Sequence, residues 1–157
     1  MAVYPKVVTF CTAGADFQIR IFRTNLEDKD TVQCLPGHTS YINDLAFEPS
    51  MGKYLASVSD DHSCHIRNVQ DNYEEKAIFR IKSPGMAVCW HPDEPSKILV
   101  AEKRGIIHIY NFVLKQITLS IETSKSPLMS ADWCSKNRLF VSALAAGELV
   151  TFDLRHP

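Results

Sequence analysis

The chain has 157 residues, of which 45% are hydrophobic, 10% aromatic and 22% charged. That composition suits one folded domain with a real hydrophobic core and excludes a disordered chain. Seventeen basic residues against 18 acidic ones leave a net charge of −1, so no broad field draws the chain onto nucleic acid or an anionic membrane.

No apolar stretch approaches the roughly 20 residues that span a bilayer, and Met1 to Pro5 are too short and mixed for a signal peptide's apolar region. The expectation is a cytosolic or nuclear protein with no membrane insertion and no direct nucleic-acid partner. Cys11, Cys34, Cys64, Cys89 and Cys134 are odd in number and form no CxxC pair. They are expected to be free, mostly buried thiols of a reducing compartment.

In chain order, a strand over Lys6–Thr12 leads through a small-polar turn at Asp16 to a second alternating strand ending near Thr24. Glu27-Asp28-Lys29-Asp30 reads as a solvated connection, followed by an outer strand at Thr31–Leu35. A strand at Ile42–Phe47 is stopped by Pro49, which has no N–H for the ladder. The hairpin Lys53–Asp71 follows, turning at Asp60-Asp61-His62, where aspartates bond nearby backbone N–H groups.

An outer strand at Lys76–Lys82 and a strand at Met86–Trp90, stopped by Pro92, precede the hairpin Lys97–Leu114. Outer strand Gln116–Glu122, strand Leu128–Trp133 and hairpin Arg138–Arg155 complete the chain. The turns Lys103-Arg104-Gly105 and Ala145-Ala146-Gly147 carry a glycine that tolerates positive φ. Period-two alternation, with no clear 3.6 period in any eleven-residue window, argues strands throughout.

The turn residues Asp16, Asp61, Arg104 and Ala146 recur at intervals of 45, 43 and 42 residues. A period of about 40–45 residues with several strands per unit is the mark of propeller blades. The units divide the chain at 1–35, 36–82, 83–123 and 124–157, the first and last being partial blades.

Catalytic and metal chemistry finds little support. His62-Ser63-Cys64-His65 is rich in ligand types, but alternation splits it between two faces and no second ligand pair has zinc-finger spacing. The expected arrangement is a packed Cys64 with exposed histidines. Cys89, Trp90 and His91 are consecutive on one strand with nothing nearby to orient His91 as a base for a thiol. Trp90 and Trp133 read as core packing. No phosphate loop or paired-carboxylate motif is present. No catalytic, cofactor-binding or metal residue is assigned, no cofactor is implied, and no small-molecule substrate is expected.

Gly37-His38, followed by Ser57-Val58-Ser59-Asp60-Asp61-His62-Ser63, resembles the WD40 repeat. The resemblance implies an all-β, WD40-type β-propeller. In that family a histidine, a turn aspartate, a strand serine or threonine and a tryptophan form a hydrogen-bonded tetrad that pins each blade. His38, Asp61 and Ser57 (or Ser59) match. Arg67 stands at the tryptophan position, with Asn68 where aspartate is usual, so the tetrad is incomplete. The other units end in Phe22-Arg23, Tyr110-Asn111 and Phe152-Asp153.

Over the full length, Ser83-Pro84-Gly85-Met86, Cys89-Trp90-His91-Pro92, Val100-Ala101-Glu102-Lys103 and Pro127-Leu128-Met129-Ser130-Ala131 are similar to the thirty-seven-kilodalton WD40 nucleoporin family. That family belongs to the Y-shaped scaffold complex of the nuclear pore. The resemblance implies a non-catalytic scaffold subunit at the nuclear pore complex of the nuclear envelope, partnered with the largest arm nucleoporin of the Y complex. It further implies roles in protein and mRNA transport and translocation, and at the kinetochore in cell division.

A closed seven-bladed ring needs on the order of 280 residues at about 40 per blade. The chain therefore reads as an incomplete ring of about three and a half blades, a partial-length form with two uncovered sheet edges. The alternative reading is a generic WD40 adaptor of a ubiquitin-ligase or chromatin complex.

Overall fold

A computed structural model describes residues 7–25 and 31–156. Met1–Lys6 and the expected connection Glu27–Asp30 lie outside the described residues. Every regular element among the described residues is a strand, and no helix there is long and apolar enough to cross a membrane.

The first sheet holds β1 (Val7–Ala13), β2 (Ile19–Asn25) and β3 (Thr31–Leu35). The second holds β4 (Ile42–Phe47), β5 (Tyr54–Ser59), β6 (Ser63–Asn68) and β7 (Glu74–Arg80). The third holds β8 (Gly85–Trp90), β9 (Lys97–Glu102), β10 (Ile106–Asn111) and β11 (Gln116–Glu122), and the fourth β12 (Leu128–Trp133), β13 (Phe140–Ala145) and β14 (Glu148–Asp153). Each sheet is an antiparallel meander in chain order, as short connections between successive strands require. The result is an all-β, WD40-type β-propeller that does not close into a ring.

Alternation decides which way each side chain faces. On β6, Cys64 and Ile66 face the third sheet and join Val58, Phe79, Trp90, Ile98, Val100 and Tyr110 in one core cluster. On β9 and β10, Leu99, Ala101, Ile107 and Ile109 face the fourth sheet and pack with Leu128, Trp133, Val141 and Ala143. Ile19, Ile21 and Leu35 of the first sheet meet Leu55 and Val69 of the second. Burying an aliphatic side chain as completely as Ile66 or Ile98 stabilises by roughly 1.5–3 kcal/mol relative to leaving it exposed. The cores lie between sheets, so no sheet is stable without a neighbour. The innermost strands β4, β8 and β12 touch in sequence and set the stacking direction.

The strand-closing positions form a second repeat. After each innermost strand comes Glu48, His91 or Cys134. Glu48 carboxylate oxygens accept the Ser50 and Met51 N–H groups at 2.7 and 3.2 Å. His91 Nδ1 accepts those of Asp93 and Glu94 at 3.1 and 3.0 Å. Three chemically different side chains thus cap one turn, because the turn demands only an acceptor. Cys134 meets the backbone N–H groups of Lys136 and Asn137, which lower its thiol pKa. At the neighbouring turn on the same end of the strands, Asn68, Asn111 and Asp153 accept the N–H two residues ahead at 3.0, 3.1 and 3.0 Å. The aspartate position of the WD motif therefore performs the same local task in all three units.

Two expectations are corrected. The cysteines are free, but only Cys64 is fully buried. Cys34 is exposed, and Cys11, Cys89 and Cys134 are half-buried, since Cys11 and Cys34 sit in the first sheet, which has a neighbour on one face only. The histidines of the β5–β6 turn are also not both exposed: His62 is, with φ 64°, but His65 is 5% exposed. β6 has a sheet on each side, so both of its faces are interior.

Candidate functional site

The loop between β3 and β4 carries His38, β5 carries Ser57 and the β5–β6 turn carries Asp61. The structure brings these three together. The His38 ring bonds Asp61 Oδ2 through Nδ1 at 2.8 Å and Ser57 Oγ through Nε2 at 2.8 Å. With Asp61 as a carboxylate, Nδ1–H donates and Nε2 accepts the serine proton, which defines a neutral imidazole. Asp61 also accepts from Thr39 N–H at 3.0 Å and from the Ser63 hydroxyl. Ser59, the other serine considered, bonds the Asp61 N–H at 3.1 Å and shapes the turn instead.

Burial alone would raise the Asp61 carboxyl, but hydrogen bonds from Ser63, the Thr39 N–H and His38 outweigh it and hold the pKa at about 2. Burial pushes the His38 imidazole below its ordinary value of 6.5, against the pull of Asp61. A serine, a neutral histidine and a carboxylate in this order also make the hydrogen-bond chain of a serine nucleophile. Ser57 is 2% exposed inside a central strand, so no acyl group reaches it.

Arg67 does not join the trio. Its guanidinium turns to the Pro36 carbonyl and stands 3.4 Å from Glu75 Oε2, leaving Nε buried without a partner. Gly37 allows this: its φ of +145° suits glycine, and a Cβ there would run into the Arg67 guanidinium. His65, on the same face of β6 as Arg67, bonds Glu75 at 2.7 Å and packs on the His38 ring with centroids 4.3 Å apart. Ligand atoms of His38, Asp61 and His65 lie within 4.8 Å of one another, the spacing of a cation site. Both His38 nitrogens are already engaged and His65 Nδ1 is bonded to Glu75, and the Arg67 guanidinium already places a positive charge beside them, so the donor set opposes a metal.

The third sheet carries a network that the sequence reading missed. Glu102 is fully buried at the end of β9. Its carboxylate accepts from the Ser83 hydroxyl at 3.0 Å and bonds His108 Nε2 at 2.8 Å, while His108 Nδ1 bonds Ser120 at 2.8 Å. Burial would raise the Glu102 carboxyl, but His108 and Ser83 hold it lowered. Glu102 and His108 each stand 43 residues beyond Ser59 and His65. That spacing was the available signal, although neither residue matches the WD40 pattern. Tyr110, at the tryptophan position, packs on Phe79 with centroids 4.1 Å apart and joins the core.

Cys89 offers no nucleophile. Burial pushes its thiol pKa far up, and Sγ faces the Ala131 carbonyl at 3.7 Å. His91 is occupied as the turn cap described above.

Stacked antiparallel meanders, one of them carrying a buried His–Asp–Ser network, define a protein of the WD40 propeller class. A family model for the WD domain, G-beta repeat, matches residues 29–68. The chain is 47% identical over 150 residues to nucleoporin Nup37 of Mus musculus, covering 96% of this chain and 45% of the relative. Nucleoporin Nup37 of Homo sapiens is likewise 47% identical over 150 residues, with the same coverage. The Nup37 of Drosophila melanogaster is 46% identical over 153 residues, covering 98% and 47%. The chain belongs with the Nup37 nucleoporins and spans under half the length of these relatives.

Proposed function

We propose that the chain serves as a non-catalytic scaffold module of the nuclear pore's Y complex. The carrying observation is 47% identity across 96% of the chain to proteins named as nucleoporins. The mechanism is presentation: sheets locked by interlayer cores and buried polar networks hold the turns at both strand ends in fixed positions, where they meet a protein partner. In this reading the partner is the largest arm nucleoporin, the site of action is the nuclear pore of the nuclear envelope, and transport and kinetochore roles follow from membership of that complex. The His38–Asp61–Ser57 network, with Arg67 beside it, acts here as a structural pin rather than as a binding site.

Purification of the tagged chain from nuclear extract tests this reading. Recovery of pore scaffold proteins, with the largest arm nucleoporin among them, is expected. Recovery of ubiquitin-ligase or histone-modifying subunits without them would overturn it in favour of a general WD40 adaptor. Co-expression with the large nucleoporin is expected to raise soluble yield, since a partner that binds the folded state stabilises it by mass action.

A further inference from the structure

The turn that joins β9 to β10 reverses the charge of its counterpart one unit earlier. Between β5 and β6 the chain carries Asp60 and Asp61, and 43 residues later it carries Lys103 and Arg104. Both acids find partners in their own sheet: Asp61 bonds His38, and Asp60 accepts from Asn43 Nδ2 at 2.7 Å. The cations do not. Lys103 and Arg104 are exposed, as is Lys82 in the connection before β8. Among the described residues, none of these three charged groups makes an ion pair or a hydrogen bond, whereas nearby Lys125 pairs with Glu148.

Lys82 and Arg104 line one groove of about 360 Å³, together with Gly105, Ile106, Glu122 and Thr123. Its walls are braced by hydrogen bonds. Lys103 N–H donates to the Pro84 carbonyl at 2.8 Å and Arg104 N–H to Ser83 Oγ at 3.2 Å, so the segment carrying Lys82 lies beside the turn carrying Arg104. Ser83 is in turn held at 3.0 Å by the fully buried Glu102 carboxylate. On the far wall, Thr123 N–H donates to the Gly105 carbonyl at 2.8 Å. A Cβ on Gly105, whose φ is +96°, would stand 2.7 Å from the Lys125 carbonyl oxygen, so the two segments meet closely only through glycine.

Glu122 is the one acid lining the groove, against two cations in the lining and Lys103 beside it. The excess charge is positive and stands on an ordered frame, so only side chains lose freedom when an anion binds. No aromatic side chain lines the groove, which leaves nucleic-acid bases nothing to stack on. Its volume, at the low end for a ligand site, takes side chains rather than a run of nucleotides.

We propose that this groove docks an acidic segment of a protein partner, with one carboxylate pairing to Arg104 and another to Lys82 while Lys103 adds attraction at the rim. A planar guanidinium matches a carboxylate through two parallel hydrogen bonds. The cations are exposed, so salt screens the attraction. The site does not rest on the nucleoporin reading, and either can fail alone.

The test is backbone-assigned proton–nitrogen NMR of the 157-residue chain in low salt. The probe is acetyl-Glu-Glu-Glu-Glu-amide, titrated to about millimolar concentration, the weak range of short-peptide recognition. The amide resonances of Lys103, Arg104 and Gly105 are expected to move, and to stay in place with acetyl-Gln-Gln-Gln-Gln-amide. Lys82→Gln combined with Arg104→Gln is expected to weaken binding about fivefold or more, the effect of two exposed ion pairs, while an unmoved Trp90 indole resonance reports an intact fold. Lys115→Gln combined with Lys136→Gln, at the other end of the strands, is expected to leave binding unchanged. Pentathymidylate, with the same charge as the glutamate peptide, is expected to bind more weakly. A turn that does not respond, equal movement with the glutamine peptide, equal weakening by the two double variants, or pentathymidylate binding as tightly would each overturn the proposal.

Discussion

The second and third sheets have four strands each in the same order, yet different chemistry pins them. In β4–β7 the hydrogen bonds run from His38 in a loop to Asp61 in a turn and Ser57 on a strand. In β8–β11 a single buried carboxylate, Glu102, gathers Ser83 and His108. Blade geometry therefore requires a satisfied polar network where loop meets strand rather than one set of residues. Any donor–acceptor set that leaves no buried group unpaired serves. The second sheet departs from that rule at Arg67 Nε, where the resemblance places a tryptophan.

The largest effect that tests this comparison is expected from Glu102→Ala. It empties a fully buried position and strands Ser83 and His108, at about 3–4 kcal/mol of unfolding free energy. Asp61→Ala removes a carboxylate that is less fully buried than Glu102, 6% against 0% exposed, and is expected to lose about 2 kcal/mol. Chemical denaturation of the two variants compares the sheets directly, and an equal or reversed order would show that burial of the carboxylate itself does not set the cost.

Gly37→Ala places a side chain at positive φ and against Arg67, with an expected loss of about 1–3 kcal/mol. The double variant with Arg67→Ala should recover part of that loss if the guanidinium contact, rather than φ alone, is responsible.

Acid should weaken the fold through its histidines. Burial lowers His38, His65 and His91 below their ordinary 6.5, so the folded chain binds fewer protons than the unfolded one. Their contribution is complete above about pH 6.5 and is lost as the pH falls toward the lowered folded values. Asp61 adds a further loss between its ordinary 3.8 and about 2. Melting temperature is expected to drop from neutral pH to about pH 5.5, and His38→Gln should flatten that slope.

The smallest effect is a gain. Arg67→Trp removes the unpartnered Nε and supplies an indole N–H to the Ser57 side of the network, for about 1 kcal/mol of added stability. A loss would show that the Pro36 and Glu75 contacts of Arg67 matter more than the missing tryptophan.

Much of this molecule is legible in its residues. Alternation over Tyr54–Ser59 and Ser63–Asn68, proline stops at Pro49 and Pro92, and recurrence of the turns every 42 to 45 residues establish strands, hairpins and blades, because period and turn chemistry are local properties. Pairing of His38 with Asp61 and Ser57 was reachable only through resemblance, since the three are brought together by sheet register. Burial of His65, the shared cap at Glu48 and His91, the Glu102 network and the groove between Lys82 and Arg104 belong to tertiary structure alone. Each depends on which sheet lies against which face, and packing between sheets leaves no period in the chain.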